Sequence, residues 1–245
     1  MTEQNYSAEE LMRDARFLRA MAVILLVMTL AGFAPRYLLP LAQGTYNPPA
    51  AWNMWMHPHA IAGFGFSLLF ISQPTLIMAR KFGAHRVSGW IAAGVVFLSI
   101  VSGVGVQLGM FPTSPGDASN IMGGAFRLFQ SLPMMAAFFA AAWALKRRPD
   151  WHWRFMYMAA FAAVGTIIGR LYQYYTPIPA EAIGPLVGAA NLLFVLFLPV
   201  SDKIRRGRVH KASWISLGAF IGFQIFVAVL LGSGWWMNVA TAPLP

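Results

Sequence analysis

Seven apolar runs, each about as long as a bilayer crossing, constrain this chain more than any motif within it. A helix needs roughly 20 mostly apolar residues to cross the hydrocarbon core. Residues 20–41, 58–79, 87–110, 125–145, 155–174, 184–201 and 212–233 meet that requirement. The predicted fold is therefore all-α, a polytopic transmembrane bundle of seven helices. Of 245 residues, 58% are hydrophobic and 11% charged, against roughly 25% charged in a soluble domain. The gaps between the runs leave no room for a soluble catalytic domain. The predicted organisation is an N-terminal segment over 1–19, a membrane domain over 20–233 and an external tail over 234–245.

Lys and Arg accumulate in cytoplasmic loops, and here they fall on alternate connections. Arg13, Arg16 and Arg19 precede the first run; Arg80, Lys81 and Arg86 join the second to the third. Lys146, Arg147, Arg148 and Arg154 join the fourth to the fifth, and Lys203, Arg205, Arg206, Arg208 and Lys211 the sixth to the seventh. This predicts a cytoplasmic N-terminus and an external C-terminus. It also explains the net charge of +10 as a topology signal, so nucleic acid is not an expected partner; membrane lipids are. "SAEELMRDARFLRA" (7–20) has Glu10 three residues after Ser7, the spacing of a capping box, and is predicted to lie as a short helix at the membrane surface. The run "AMAVILLVMTLAGFA" (20–34) follows a mixed-charge segment, so no cleavable signal peptide is expected. Trp52, Trp55, Trp235 and Trp236 are predicted to form an aromatic belt at the outer face.

Several chemistries drop out. Without cysteine there are no disulfides, no c-type haem attachment and no thiolate-held iron–sulfur cluster. No G-x-S-x-G, Walker A, H-E-x-x-H or dinucleotide-binding glycine pattern occurs. The seventh run contains no lysine, which excludes a retinal Schiff base of the rhodopsin kind.

Three basic residues remain, Arg36, Arg127 and Arg170, each near the outer end of a run. Arg36 is expected to snorkel to the headgroups. Arg127 and Arg170 lie deeper, and each has a glutamine three residues later, Gln130 and Gln173. Charged groups within a membrane face the bundle interior and need a partner; Asp117 and Glu181 are the acids on that side. Two readings stand open: a polar cavity facing outward, and simple pairing between helices.

Histidines open three runs on the basic side: His85 in "HRVSGW", His152 in "HWRFMY" and His210 in "HKASWI". Asp202 ends the sixth run, and Asp150 precedes His152. Three imidazoles and a carboxylate at one depth can hold zinc or non-haem iron, and two imidazoles can ligate a b-type haem. Alternatively, His-Arg and His-Lys at a helix start meet phosphate headgroups. In "NMWMHPHA" (53–60), Met54, Met56, His57 and His59 are ligands that suit copper, while Pro58 suits a first helical turn. Gln73 is a polar position within the second run. It lies fourteen residues from His59, roughly 21 Å along a helix, so the two cannot share a ligand.

"HPHAIAGFGFSLLFISQPTLI", "HRVSG", "HWRFMYMAAFAAVGTIIGRL" and "DKIRRGRVHKASW" together resemble a family of bacterial multi-pass inner-membrane proteins. That family shows H-x-H, Q-P, H-R-x-x-G, H-x-R-x-M, G-R, and Asp followed by G-R-x-H. The likeness covers about residues 57–215, with "WHWR" where H-K-R is more usual. It implies a bacterial inner-membrane location. The positions it marks are His57, His59, Gln73, His85, Arg86, His152, Arg154, Arg170, Asp202, Arg208 and His210. It implies no reaction.

Three functions follow as expectations. The first is a metal or haem centre held by His85, His152, His210 and Asp202, passing electrons to quinone or activating water on zinc. The second is an accessory subunit of a respiratory or photosynthetic complex. The third is a carrier or receptor for a small anion or quinone, using Arg127 and Arg170. Carriers are often built from inverted repeats, whereas the hairpins here repeat in one orientation.

Overall fold

The computed structural model describes residues 6–47, 54–110 and 118–241, with backbone alone for 118–121, 180 and 181. Among the described residues every regular element is helical. Seven helices are long and apolar enough to cross a membrane. The first, α1, runs Ala8–Ala42, passing through a π-helical turn at Ala34–Leu38 before a last α-helical turn. The next two are α2 (Met56–Met78) and α3 (Phe82–Met110). The fourth, α4, starts as Ala118–Phe126, passes through a π-turn at Arg127–Ser131 and ends as Leu132–Ala144. Helix α5 (Pro149–Tyr175) is interrupted at Ala162 and Ala163. The last long helices are α6 (Ala180–Arg206) and α7 (Lys211–Gly232), and a short α8 (Trp235–Thr241) follows.

The apolar runs locate these helices well and their ends poorly. At the basic end α1, α3, α5 and α6 all extend past the apolar stretch, because hydropathy records where lipid contact stops, whereas a helix stops at its cap. Ser7 supplies the cap of α1. Its hydroxyl accepts from the Glu10 N–H at 3.1 Å, and its own N–H donates to the Glu10 carboxylate at 3.0 Å. No break follows, so the expected surface helix over 7–20 is instead the first turns of α1. With 35 residues that helix is roughly 50 Å long, and its polar start projects beyond a hydrocarbon core about 30 Å thick.

The stretch "RRGRVHK" is a cap-to-cap junction. Gly207 ends α6 at φ 69°, a left-handed conformation that suits glycine, and its N–H returns to the Lys203 carbonyl at 2.9 Å. Three residues later the His210 ring accepts from the Ala212 N–H at 3.1 Å and so caps α7.

Helix α5 is the centre of the bundle: 56% of its span is buried, against 17% for α6 and for α7. Tyr157, fully buried, donates to the Phe194 carbonyl at 2.7 Å and stacks on Phe161 at 4.5 Å. The expected external tail over 234–245 forms α8 as far as Thr241. Its Trp236 is buried edge-on against Phe129 of α4 at 5.1 Å. Trp55 also turns inward, its ring filling the space beside Gly105. Trp236 is thus buried, against the expected aromatic belt, whereas Trp55 is half-buried and Trp235 half exposed; Trp52 lies outside the described residues.

Candidate functional site

The basic end is held by two ion-pair clusters. In the first, Asp14 of α1 accepts from Arg205 at 2.9 Å and also from Arg206 and the Tyr6 hydroxyl, while Glu10 accepts from Arg206 at 2.8 Å. Burial, reinforced by Asp14, holds the Tyr6 hydroxyl far above its ordinary pKa. In the second, Arg154 and Asp202 have no exposed side-chain surface and pair through two contacts, one of them Nε to Oδ2 at 3.0 Å. Asp202 also accepts from the Ser213 hydroxyl and, at 3.2 Å, from the His210 N–H. His210 reaches Asp150 through Nε2 at 3.0 Å. Its Nδ1 is the acceptor of the helix cap, so Nε2 carries the proton and donates. Burial, with Arg154 nearby, holds this imidazole below its usual range; Asp150 opposes the shift.

This arrangement does not gather the expected metal ligands. Among the described residues no three His, Cys, Asp or Glu side chains come together as a metal-binding group. The cluster of His85, His152, His210 and Asp202 is not assembled, because the members are turned to different partners. Asp202 faces Arg154, and His210 joins a helix cap to Asp150. The His152 Nδ1 donates to the Ala142 carbonyl at 2.8 Å, and the His85 Nδ1 is buried without a hydrogen bond. A shared depth on three helices does not give a shared direction. The copper set divides for a related reason: residues two apart on a helix do not face each other. His57 meets Tyr37 at 3.1 Å, His59 meets Ser102 at 3.2 Å, and Met54 is exposed.

The opposite end carries a different chemistry. Arg127 opens the π-turn of α4, and its Nε donates to the buried Gln107 of α3 at 2.7 Å. Its guanidinium folds back over Gly123, where a Cβ would stand 2.9 Å from Nη1. Arg170 of α5 lies over the Phe33 ring of α1 at 4.6 Å, and Gly32 lets α1 approach its Cβ. No hydrogen bond among the described residues engages Arg170, and its Nε is buried and unpartnered. His59 of α2 packs against Gly103 of α3, which also meets Leu132 of α4. Arg127 is thus held against α3 and Arg170 against α1, both half-buried. The two π-turns among the described residues, Ala34–Leu38 and Arg127–Ser131, lie here; such turns recur at functional sites because the extra residue redirects side chains.

No ion pair among the described residues includes Arg127 or Arg170. Every described Asp and Glu side chain in an ion pair belongs to the basic end. Asp117 lies outside the described residues, as does the side chain of Glu181. Arg36 is exposed, over Tyr174 at 5.6 Å, as a snorkelling arginine should be. Gln130 is buried with its Oε1 unpartnered, whereas Gln173 is exposed. Gln73 lies elsewhere: it donates to Ser88 at 2.7 Å, a full helix length from Arg127, and is no part of this site. Gln107, which the sequence reading passes over, had a visible signal: it is an isolated amide in an otherwise apolar run. Comparison with family profiles, curated proteins and solved structures finds no match to this chain.

Proposed function

We propose that this protein is a membrane-embedded receptor or carrier for a small anion, bound between Arg127 and Arg170. The observation that carries the reading is two half-buried guanidiniums toward the same end of the transmembrane helices, neither of them in an ion pair among the described residues. Guanidinium groups stay protonated, and charges within a membrane are expensive unless paired. An anionic ligand supplies the missing partner. A quinone fits less well, since its carbonyls accept hydrogen bonds without neutralising charge. By the distribution of Lys and Arg, the site lies toward the outer face, and the resemblance noted above implies that the membrane is a bacterial inner one.

The test is the thermal stability of the purified protein in mild detergent with acetate, succinate or inorganic phosphate. A ligand at about 100 times its Kd stabilises a folded state by about 2.7 kcal/mol. The expected result is a raised Tm with at least one of these anions in the wild type and no shift in Arg170→Gln. Absence of a shift with all three refutes the reading.

A further inference from the structure

We propose that α5 is hinged at Ala162–Ala163, midway along its length, and that Asn191 of α6 latches a second conformation of the hinge. The stretch "AAVGTIIG" (162–169) sets Gly165 among Val164, Thr166, Ile167 and Ile168, and glycine and β-branched residues are weaker helix formers than alanine or leucine. The backbone ladder is thin here. The Ala162 N–H returns to the Met158 carbonyl at 2.9 Å, but the Thr166 N–H reaches only three residues back, to Ala163 at 3.2 Å. The Ala163 N–H makes no backbone hydrogen bond among the described residues. Against this break lies the Asn191 side chain. Its Nδ2 and Oδ1 stand 2.5 and 3.2 Å from where a Gly165 Cβ would be, so only glycine admits the amide. The Asn191 Oδ1 is buried and accepts no hydrogen bond. An orphaned backbone donor and an orphaned amide acceptor thus sit beside one break at membrane depth, where no water satisfies either. In the second conformation Asn191 accepts from the backbone N–H groups that open the outer half of α5.

The two halves of α5 are held by different parts of the molecule. The inner half packs mainly on α4. Its polar ties run from His152 to the Ala142 carbonyl, from Arg154 to Asp202 and from the Tyr157 hydroxyl to the Phe194 carbonyl. The outer half, Val164–Tyr175, packs on α1 and α6. There the Tyr175 hydroxyl donates to the Ala31 carbonyl at 3.0 Å, Arg170 lies over Phe33, and Ile167 stands 3.4 Å from a Cβ at Gly32. Helix α1 loosens just inward of these contacts. The buried Thr29 hydroxyl donates to the Leu25 carbonyl at 2.7 Å, a back-bond of the kind that bends helices. The outer half of α5 and the adjoining part of α1 therefore turn as one unit, carrying Arg170, while the ion pair of Arg154 and Asp202 fixes the inner half. The hinge rests on backbone and packing, and it stands whether or not an anion binds.

The chain contains no cysteine, so spin labels attach only where cysteines are introduced, and distances between them can be read by double electron–electron resonance in lipid nanodiscs. The outer pair is Gln173→Cys with Leu108→Cys, and the inner pair is Arg147→Cys with Arg86→Cys; all four positions are exposed. A turn of about 20° at the break moves the end of an arm of roughly 18 Å by about 6 Å. The expected result is two distances for the outer pair, separated by several ångströms, and a single distance for the inner pair. Asn191→Leu keeps the bulk and removes the amide, and is expected to leave the outer pair with one distance. Should that variant fail to fold, Asn191→Ala removes the same amide with less bulk. A single outer distance without the substitution overturns the hinge. Two distances in both pairs overturn it as well, since whole helices then shift. Two outer distances that persist without the Asn191 amide overturn Asn191 as the latch.

Discussion

Replacing Asp202 by Asn tests how the basic end is held together. The substitution keeps the shape of the side chain and removes its charge, leaving the Arg154 guanidinium unpaired where neither partner has any exposed side-chain surface. Breaking a buried pair from one side costs about 3–5 kcal/mol, because the remaining charge has lost both its partner and its water. Asp202 also accepts from Ser213 and from the N–H of His210, and an amide oxygen can retain one of these, so the lower half of the range is expected. At about 2–4 °C per kcal/mol for a chain of this length, the Tm in detergent should fall by roughly 6–16 °C. The double variant Arg154→Met with Asp202→Leu supplies the control. Apolar replacement of a whole buried pair is often neutral or stabilising, so the double variant should recover most of the loss. A shift of less than about 2 °C in Asp202→Asn would refute the reasoning, since it would mean that water reaches Arg154.

Other consequences are independent of that pair. The lowered pKa of His210 means that its contribution to stability is present in full above about pH 6.5, the unfolded value, and is lost as pH falls through the folded value. His210→Asn retains a capping side chain and should flatten that part of a stability-versus-pH curve. Gly105→Ala places a methyl within 2.4 Å of the Trp55 ring; it should cost about 1–3 kcal/mol through overpacking, read as a lower Tm with altered tryptophan fluorescence. Arg80 holds a left-handed backbone at φ 57°, so Arg80→Gly should raise stability by up to about 1 kcal/mol, measured by the same melting assay. Ser7→Ala removes the cap of α1 and should cost about 1 kcal/mol.

Hydrophobic runs and alternating charge are local properties, and they settled the class of fold before any contact was known. Helix number, approximate span position and the capping box at Ser7 and Glu10 were legible for the same reason: each depends on neighbours within a few residues. The pair of intramembrane arginines was legible as well, since a charge in an apolar run stands out without reference to anything else. Direction around the helix axis was not. His85, His152 and His210 each open a helix at the basic end, yet His152 turns to the Ala142 carbonyl and His210 to Asp150 and its own helix cap, so the three do not gather around one point. The bond from Arg127 to Gln107, the ring of Phe33 under Arg170 and the burial of Trp236 join residues that are 20, 137 and 107 positions apart. Such contacts depend on how helices pack and on the two π-turns that shift their register, and tertiary structure alone decides them. The chain by itself specified seven membrane-length helices with two cations inside apolar runs; folding decided that Arg127 is held by Gln107 and Arg170 by the Phe33 ring, with no ion pair to either among the described residues.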